Sequence, residues 1–231
     1  MSEPVRQLAE ALIARASITP EDAGCLELIA ERHKPLGFSF ERIDRNGTSN
    51  LWARRGTTAP LMVLAGHTDV VPTGSLDAWT SPPFQPSERN GKLYGRGGAD
   101  DGYAIYASLT AIMALDKQGI PRPRCVGLIE TCEESGSIHL PPYLERLAPR
   151  MGRVGLVVGL DSGCGNYEQL WVTTSLRGLV NGTLEVKILE EGVHSGEASG
   201  VVPSSFRVLR QVLDRLEDSA TGRLLPQSFH C

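Results

Sequence analysis

The stretch LMVLAGHTDVV, residues 61–71, decides the fold. Its first six residues have strand character and stop at a glycine. His67 and Asp69 follow, two residues apart. Alternate residues of an extended chain share a side, so a histidine and an acid leave the end of a buried strand in the same direction. A continuous apolar run of this kind suits a sheet covered on both faces. CVGLIE at 125–130 and VGLVVGL at 154–160 read the same way. Between the first two, GYAIYASLTAIMALDKQG from Gly102 predicts a largely buried helix, ended by Gly119 and Pro121. Strands alternating with helices predict an α/β architecture, a mixed sheet flanked by helices.

Outward from this centre, PVRQLAEALIARAS has apolar residues at helical spacing, with Pro4 suited to a first turn. TPEDAGCLELIAERHKPLG predicts a helix capped by Thr19, begun by Pro20 and closed by Gly37. FSFERI and NLWARR are short β-like runs. Residues 72–92, rich in Pro, Ser and Gly, predict a long loop anchored by Trp79 and Phe84. The style changes after WVTTSLRG. LVNGTLEVKIL (179–189) alternates like a strand with one wet face, and SSFRVLRQVLDRLED (204–218) is an amphipathic helix. One strand and one helix cannot close a core. The expectation is a domain over 1–178 and, over 179–231, the incomplete beginning of a second, α+β domain, with the sequence ending before its fold does.

The bulk numbers exclude some functions. Net charge is -4, from 23 basic and 27 acidic residues, which argues against a nucleic-acid partner. No apolar run is long enough to span a bilayer, and MSEPVRQLAE lacks a charged-then-apolar leader. The expected location is the cytoplasm, with no membrane partner. Cys25, Cys125, Cys132, Cys164 and Cys231 are scattered and odd in number, and read as free thiols.

The chemistry lies at the strand ends. LMVLAG leads to His67 and Asp69, CVGLIETC to Glu133 and Glu134, and VGLVVGL to Asp161. LYGRGGADDG places Asp100 and Asp101 just before the apolar helix. Such residues converge on the carboxyl rim of an open α/β sheet, where sites are built. One histidine with several carboxylates suits zinc better than magnesium. Asp69 can accept the second ring N–H of His67 and fix its tautomer. The side chains of Glu133 and Glu134 diverge, so one is expected on metal and the other free for proton transfer. Nucleotide binding through GRGGADDG is weak, because the glycines lack dinucleotide spacing and the acids repel phosphate. No Gly-x-Ser-x-Gly elbow supports a serine hydrolase.

GHTDVVPTG, Trp79 followed by PPFQP, GKLYGRGGADDG, ETCEESGS, GLDSG and EGVHSGEASGVVPSS occur in that order from about residue 50 to 205. In these motifs the chain resembles the dinuclear zinc peptidases and amidohydrolases typified by carnosinase, glutamate carboxypeptidase, acetylornithine deacetylase and succinyl-diaminopimelate desuccinylase. The part through GHTDVVPTG is most similar to the desuccinylase branch. From GRGGADDGYA onward the dipeptidase and carboxypeptidase branches are closer. The resemblance implies a zinc-dependent hydrolase of a peptide or N-acyl amide bond. It also implies two Zn2+ ions, replaceable by Co2+ or Mn2+, a substrate that is a small peptide or N-acyl amino acid, and a homodimer through a ferredoxin-like lid domain.

The same resemblance implies residue roles. His67 and Asp161 would hold one zinc, Asp100 would bridge both, and Glu134 would hold the other. Glu133 would be the general base, and Asp69 would orient His67. His194 would reach the substrate of the other subunit. The Asp100–Asp101 peptide would be cis. A fifth ligand of the family, a late histidine, has no counterpart: the context of His230 does not match, and His33 and His139 read as surface or packing residues. The His67 site is therefore expected to keep metal better than the Glu134 site. Desuccinylation or acetylornithine deacetylation is the alternative activity, and an inactive fragment with partial metal binding is the rival of another class.

Overall fold

The computed structural model describes residues 3–57 and 61–230, and Cys231, expected as a free thiol, lies outside them. The other four cysteines are unpaired. The chain divides into two compact units, Met1–Thr173 and Thr174–Cys231.

The first unit is built on a five-stranded sheet of β1 (Ser39–Arg45), β2 (Thr48–Arg55), β3 (Leu61–His67), β6 (Arg124–Glu130) and β7 (Val154–Gly159), in the order β1-β2-β6-β3-β7. A hairpin of β4 (Ser87–Arg89) and β5 (Lys92–Tyr94) stands apart from it. The sheet is mixed: β1–β2 and β2–β6 are antiparallel, and β3 runs parallel to both β6 and β7. Asn46 (φ 49°) and Gly47 (φ 83°) make the two-residue β1–β2 turn, in the left-handed conformation whose twist matches paired strands.

Helices cover both faces. On one, Leu8 and Leu12 of α1 (Glu3–Ile13), Leu26 and Ile29 of α2 (Cys25–His33), and Ile105 and Leu109 of α3 (Tyr103–Lys117) pack with Leu51 and Ile129 of the sheet. On the other, Tyr143, Leu147 and Met151 of α4 (Leu140–Met151) pack with Trp52, Val63, Val126 and Leu128. The predicted α/β class with a flanked mixed sheet is observed.

Several local expectations are corrected. α2 begins at Cys25 rather than Pro20, because Ala23 (φ 49°) and Gly24 (φ 79°) are left-handed and cannot continue a helix. Thr19 is therefore no cap; the Asp22 carboxylate instead accepts from the N–H groups of Gly24 (3.2 Å) and Leu26 (3.0 Å). Gly37 (φ 80°) does close the turn after α2, its N–H donating to Lys34 O. α3 is not largely buried. Ala104, Ile105, Leu109 and Ile112 form one buried stripe, while Met113 is 45% exposed. β7 is an edge strand whose Leu156 and Val157 are exposed, so the sheet is not covered on both faces there. The β4–β5 hairpin, turned by Asn90 (φ 50°) and Gly91 (φ 73°), interrupts the predicted 72–92 loop. Trp79 anchors that loop by donating to Thr73 O at 2.9 Å.

The second unit holds α5 (Ser195–Ala198) and α6 (Ser205–Leu213), the latter capped by Ser204 Oγ, which accepts from Arg207 N. The expected strand at 179–189 is not formed; the segment has no regular secondary structure and is mostly exposed. Alternating polarity supplies a strand with a face, but not with the neighbouring backbone whose hydrogen bonds define it.

Candidate metal centre

β3 carries the centre on its last residues. Period-2 alternation sends Gly66 toward α3 and His67 to the opposite face. Gly66 has no room for a side chain: a Cβ there would lie 2.5 Å from Ala104 Cβ and 2.8 Å from Asp101 Oδ2. This close approach brings the turn before α3 against the strand. Asp101 Oδ2 accepts the backbone N–H of His67 at 3.1 Å. Burial, opposed by His67 and reinforced by the charges of Asp161 and Asp100, raises the Asp101 carboxyl to about 8. The adjoining Asp100–Asp101 peptide is cis.

The His67 ring is buried, 1% exposed. Its Nδ1 lies 2.9 Å from the main-chain carbonyl of Asp69 and 3.4 Å from that residue's carboxylate. The carboxylate expected from the sequence is there, and the main-chain carbonyl of the same residue lies closer to the ring N–H. Either acceptor occupies Nδ1 and turns Nε2 toward the neighbouring acids. That atom is buried without a hydrogen-bond partner. Three carboxylates surround it: Asp100 Oδ1 at 3.2 Å, Asp161 Oδ2 at 3.7 Å and Glu133 Oε2 at 3.9 Å. Burial would lower the ring's pKa, but Asp69 and Asp101 outweigh it and raise it to about 10. A site that stabilises positive charge at a buried, unpartnered imidazole nitrogen is suited to a cation.

The Asp69 carboxylate has a second partner set. It is fully buried, and its two oxygens accept from Glu133 N and Glu134 N, each at 3.1 Å. Burial raises its pKa, but the bonds to His67, Thr19 and Glu133 N win and hold it below the usual carboxylate range. Thr19, also bonded to Ser135 Oγ at 2.5 Å, reaches this point because its segment pairs with Val70 beside the strand end. Burial, then neighbouring acids, raises the carboxyls of Glu133 and Glu134.

Among the described residues, His67, Asp100 and Asp161 offer ligand atoms all within 4.8 Å of one another. Glu133 lies beside this group, and Glu134 is joined to it through the Asp69 bond and the charge of Asp100. A cavity of about 140 Å³ opens here, lined by His67, Glu130, Glu133 and Asp161 together with apolar Ala65, Leu128 and Leu140.

His194 belongs to the second unit, where its Nδ1 accepts from Gly196 N at 3.1 Å and caps α5. His230 lies with Nε2 2.7 Å from Leu224 O. His33 is a packing residue. It is buried, edge-on to Phe38, and its pKa is lowered to about 4 by burial, against a bond to Ile29 O. The sequence places Asp101 on the rim beside Asp100 without a task of its own, and Thr19 outside the site altogether. The doubled acid of ADDG was the available signal for the first; nothing local marked the second.

Residues 63–219 match the family described as Peptidase family M20/M25/M40. Curated relatives are named succinyl-diaminopimelate desuccinylase. The one from Dechloromonas aromatica is 57% identical over 139 residues, covering 60% of this chain and 37% of its own. That of Azoarcus sp. (strain BH72) is 47% identical over 187 residues, 80% of this chain and 49% of its own. That of Alkalilimnicola ehrlichii is 44% identical over 233 residues, 99% of this chain and 62% of its own. The chain spans about half the length of the curated relatives it matches. Among solved structures, human carnosine dipeptidase 1 superposes with a TM-score of 0.65 at 23% identity, over 98% of this chain and 52% of that one. The di-peptidase Dug1p of Saccharomyces cerevisiae gives 0.66 at 22%, over 97% and 52%. These two likenesses are of fold. No helix among the described residues is long and apolar enough to cross a membrane.

Proposed function

The chain belongs to peptidase family M20/M25/M40, a metal-dependent family, and on that premise we propose that its first unit carries the metal centre and base of an amide-bond hydrolase. The observation that carries this is His67 Nε2, buried, unpartnered and ringed by the carboxylates of Asp100, Asp161 and Glu133. His67 and Asp161 would hold one zinc ion, Asp100 would bridge to a second, and Glu134 would complete the second site; Co2+ or Mn2+ would substitute. The bound ions would polarise the scissile carbonyl and lower the pKa of water.

The chain's own residues do the rest. Glu133, with its carboxyl pKa raised by burial and neighbouring charge, takes a proton from water and passes it to the leaving nitrogen. Asp69 has two tasks: it presents the carbonyl that orients the imidazole, and its carboxylate fixes the backbone of Glu133 and Glu134. One group thus sets the distance between ligand and base. The relatives named succinyl-diaminopimelate desuccinylase favour an N-acyl amino acid substrate over a free dipeptide. The second unit would begin a lid and dimerisation domain, with His194 directed to the substrate of a partner subunit.

Zinc per chain, by native mass spectrometry after zinc loading, tests this reading. At least one zinc is expected, lost in His67→Ala and kept in Glu133→Gln. These 231 residues offer the second site Asp100 and Glu134, where three ligands are usual, so in this stretch of chain the Glu134 site should fill more weakly. Equal, tight filling of both sites would refute that order, and a folded chain that keeps no zinc would refute the metal reading. Hydrolysis of N-succinyl-diaminopimelate against a dipeptide then separates the substrate classes.

A further inference from the structure

The third acid of the centre poses a positioning problem. Among the described residues β7 is an edge strand, exposed along most of its length, with β3 its only partner in the sheet. The last ladder bond runs from Leu160 N to Ala65 O at 3.0 Å. Asp161 comes one residue later, beyond the ladder, and its carboxylate must nonetheless stay 3.7 Å from His67 Nε2.

The clamp comes from the neighbouring loop. Tyr103 opens α3, directly after Asp100, Asp101 and Gly102. Its hydroxyl bonds twice to the backbone of Ser162, the residue after Asp161. It donates to Ser162 O at 3.2 Å and accepts from Ser162 N at 3.1 Å. A hydroxyl can donate once while accepting, so both peptide groups flanking Ser162 are tied to one phenol oxygen. Tyr103 itself cannot drift, because Gly66 admits the start of α3 against β3 and Asp101 bonds the His67 amide.

We propose that Tyr103 is a positioning residue for the metal centre: its hydroxyl grips the Ser162 backbone and locks the loop bearing Asp161 to the loop bearing Asp100. The inference rests on the metal reading above. It makes the spacing of two acids from different loops depend on one side chain whose hydroxyl bonds the Ser162 backbone. The Ser162 side chain has no part in the clamp; its Oγ bonds Thr173 Oγ1 at 2.5 Å instead.

The test compares wild type, Tyr103→Phe and Ser162→Ala. Cobalt(II) is the probe; its affinity is read by chelator competition and its coordination by the visible d–d bands. Loss of a group that orients a metal ligand costs roughly ten- to hundredfold in affinity. Tyr103→Phe should therefore bind cobalt at least about tenfold more weakly with altered bands, and Ser162→Ala should match wild type in both. In the metal-free chain, hydrogen exchange of the Ser162 amide should speed up in Tyr103→Phe alone. Unchanged cobalt affinity and bands in Tyr103→Phe would overturn the proposal, as would equal loss in Ser162→Ala. If wild type takes up no cobalt, the metal reading fails instead. The clamp is then judged by Ser162 exchange, where equal rates in wild type and Tyr103→Phe overturn it.

Discussion

Asp69→Asn is the most informative single change in the centre. The wild-type carboxylate accepts from two backbone N–H groups, one on each oxygen, at 3.1 Å. Asparagine keeps one oxygen and turns an NH2 toward the other donor. One hydrogen bond to a charged group is lost, worth about 1.5–3 kcal/mol, and two donors face each other where the residue is fully buried. The carbonyl contact to the His67 ring is unchanged, so the loss falls mainly on the Glu133–Glu134 turn and on the longer 3.4 Å contact to the ring. Metal-free Asp69→Asn should be less stable by about 2–3 kcal/mol at neutral pH, or about 4–12 °C in melting temperature for a unit of this size. Urea unfolding followed by tryptophan fluorescence, with Trp52 buried in the core, measures this directly. The acid pKa is depressed in the fold. Its stabilisation is thus present above the unfolded carboxylate value and fades as pH falls through the folded one. The Asp69→Asn deficit should therefore shrink in acid. A deficit below about 0.5 kcal/mol at neutral pH would refute the assignment of Asp69 as the tie between ligand and base.

Other expectations follow from the same geometry. Gly66→Ala puts a methyl 2.5 Å from Ala104 Cβ and should destabilise by about 1–3 kcal/mol through overpacking, read in the same urea assay. His33 is kept neutral by burial, with a folded pKa of about 4. Its unfolded form binds a proton first, so stability should fall as pH drops from about 6.5 to 4 by a few kcal/mol, and His33→Gln should remove that slope. Val157 is 60% exposed on the edge strand β7. Val157→Lys should leave the melting temperature within about 2 °C and reduce light scattering at high concentration, because a charge on an open edge blocks strand addition.

How much of this was legible in the sequence depends on how far apart the deciding residues lie. The β3, β6 and β7 runs declare themselves, since each is a local apolar segment of strand length ended by polar residues. His67, Asp100 and Asp161 stand among the acids and histidine marked by strand ends and a glycine-rich turn, the family resemblance implies that they are ligands, and the structure brings these three together. Asn46-Gly47 and Asn90-Gly91 are equally local turn signals that the expected loop over 72–92 passed over, and both hairpins turn on them. The start of α2 was misplaced because Thr19-Pro20-Glu21 satisfies every local rule for a helix start. Thr19 is instead drawn to Ser135, 116 positions away.

By itself the sequence determined the family, the strand ends and the identity of the clustered acids and histidine, because these rest on residue type and short spacing. Only the tertiary structure decided which groups hold them. The His67 ring faces the main-chain carbonyl of Asp69 at 2.9 Å as well as its carboxylate at 3.4 Å. The Asp69 carboxylate is claimed by amides 64 and 65 positions away. The segment 179–189 has a strand's alternation but forms no strand. In each case the outcome turns on which distant backbone group arrives within about 3 Å, and no local pattern encodes that arrival.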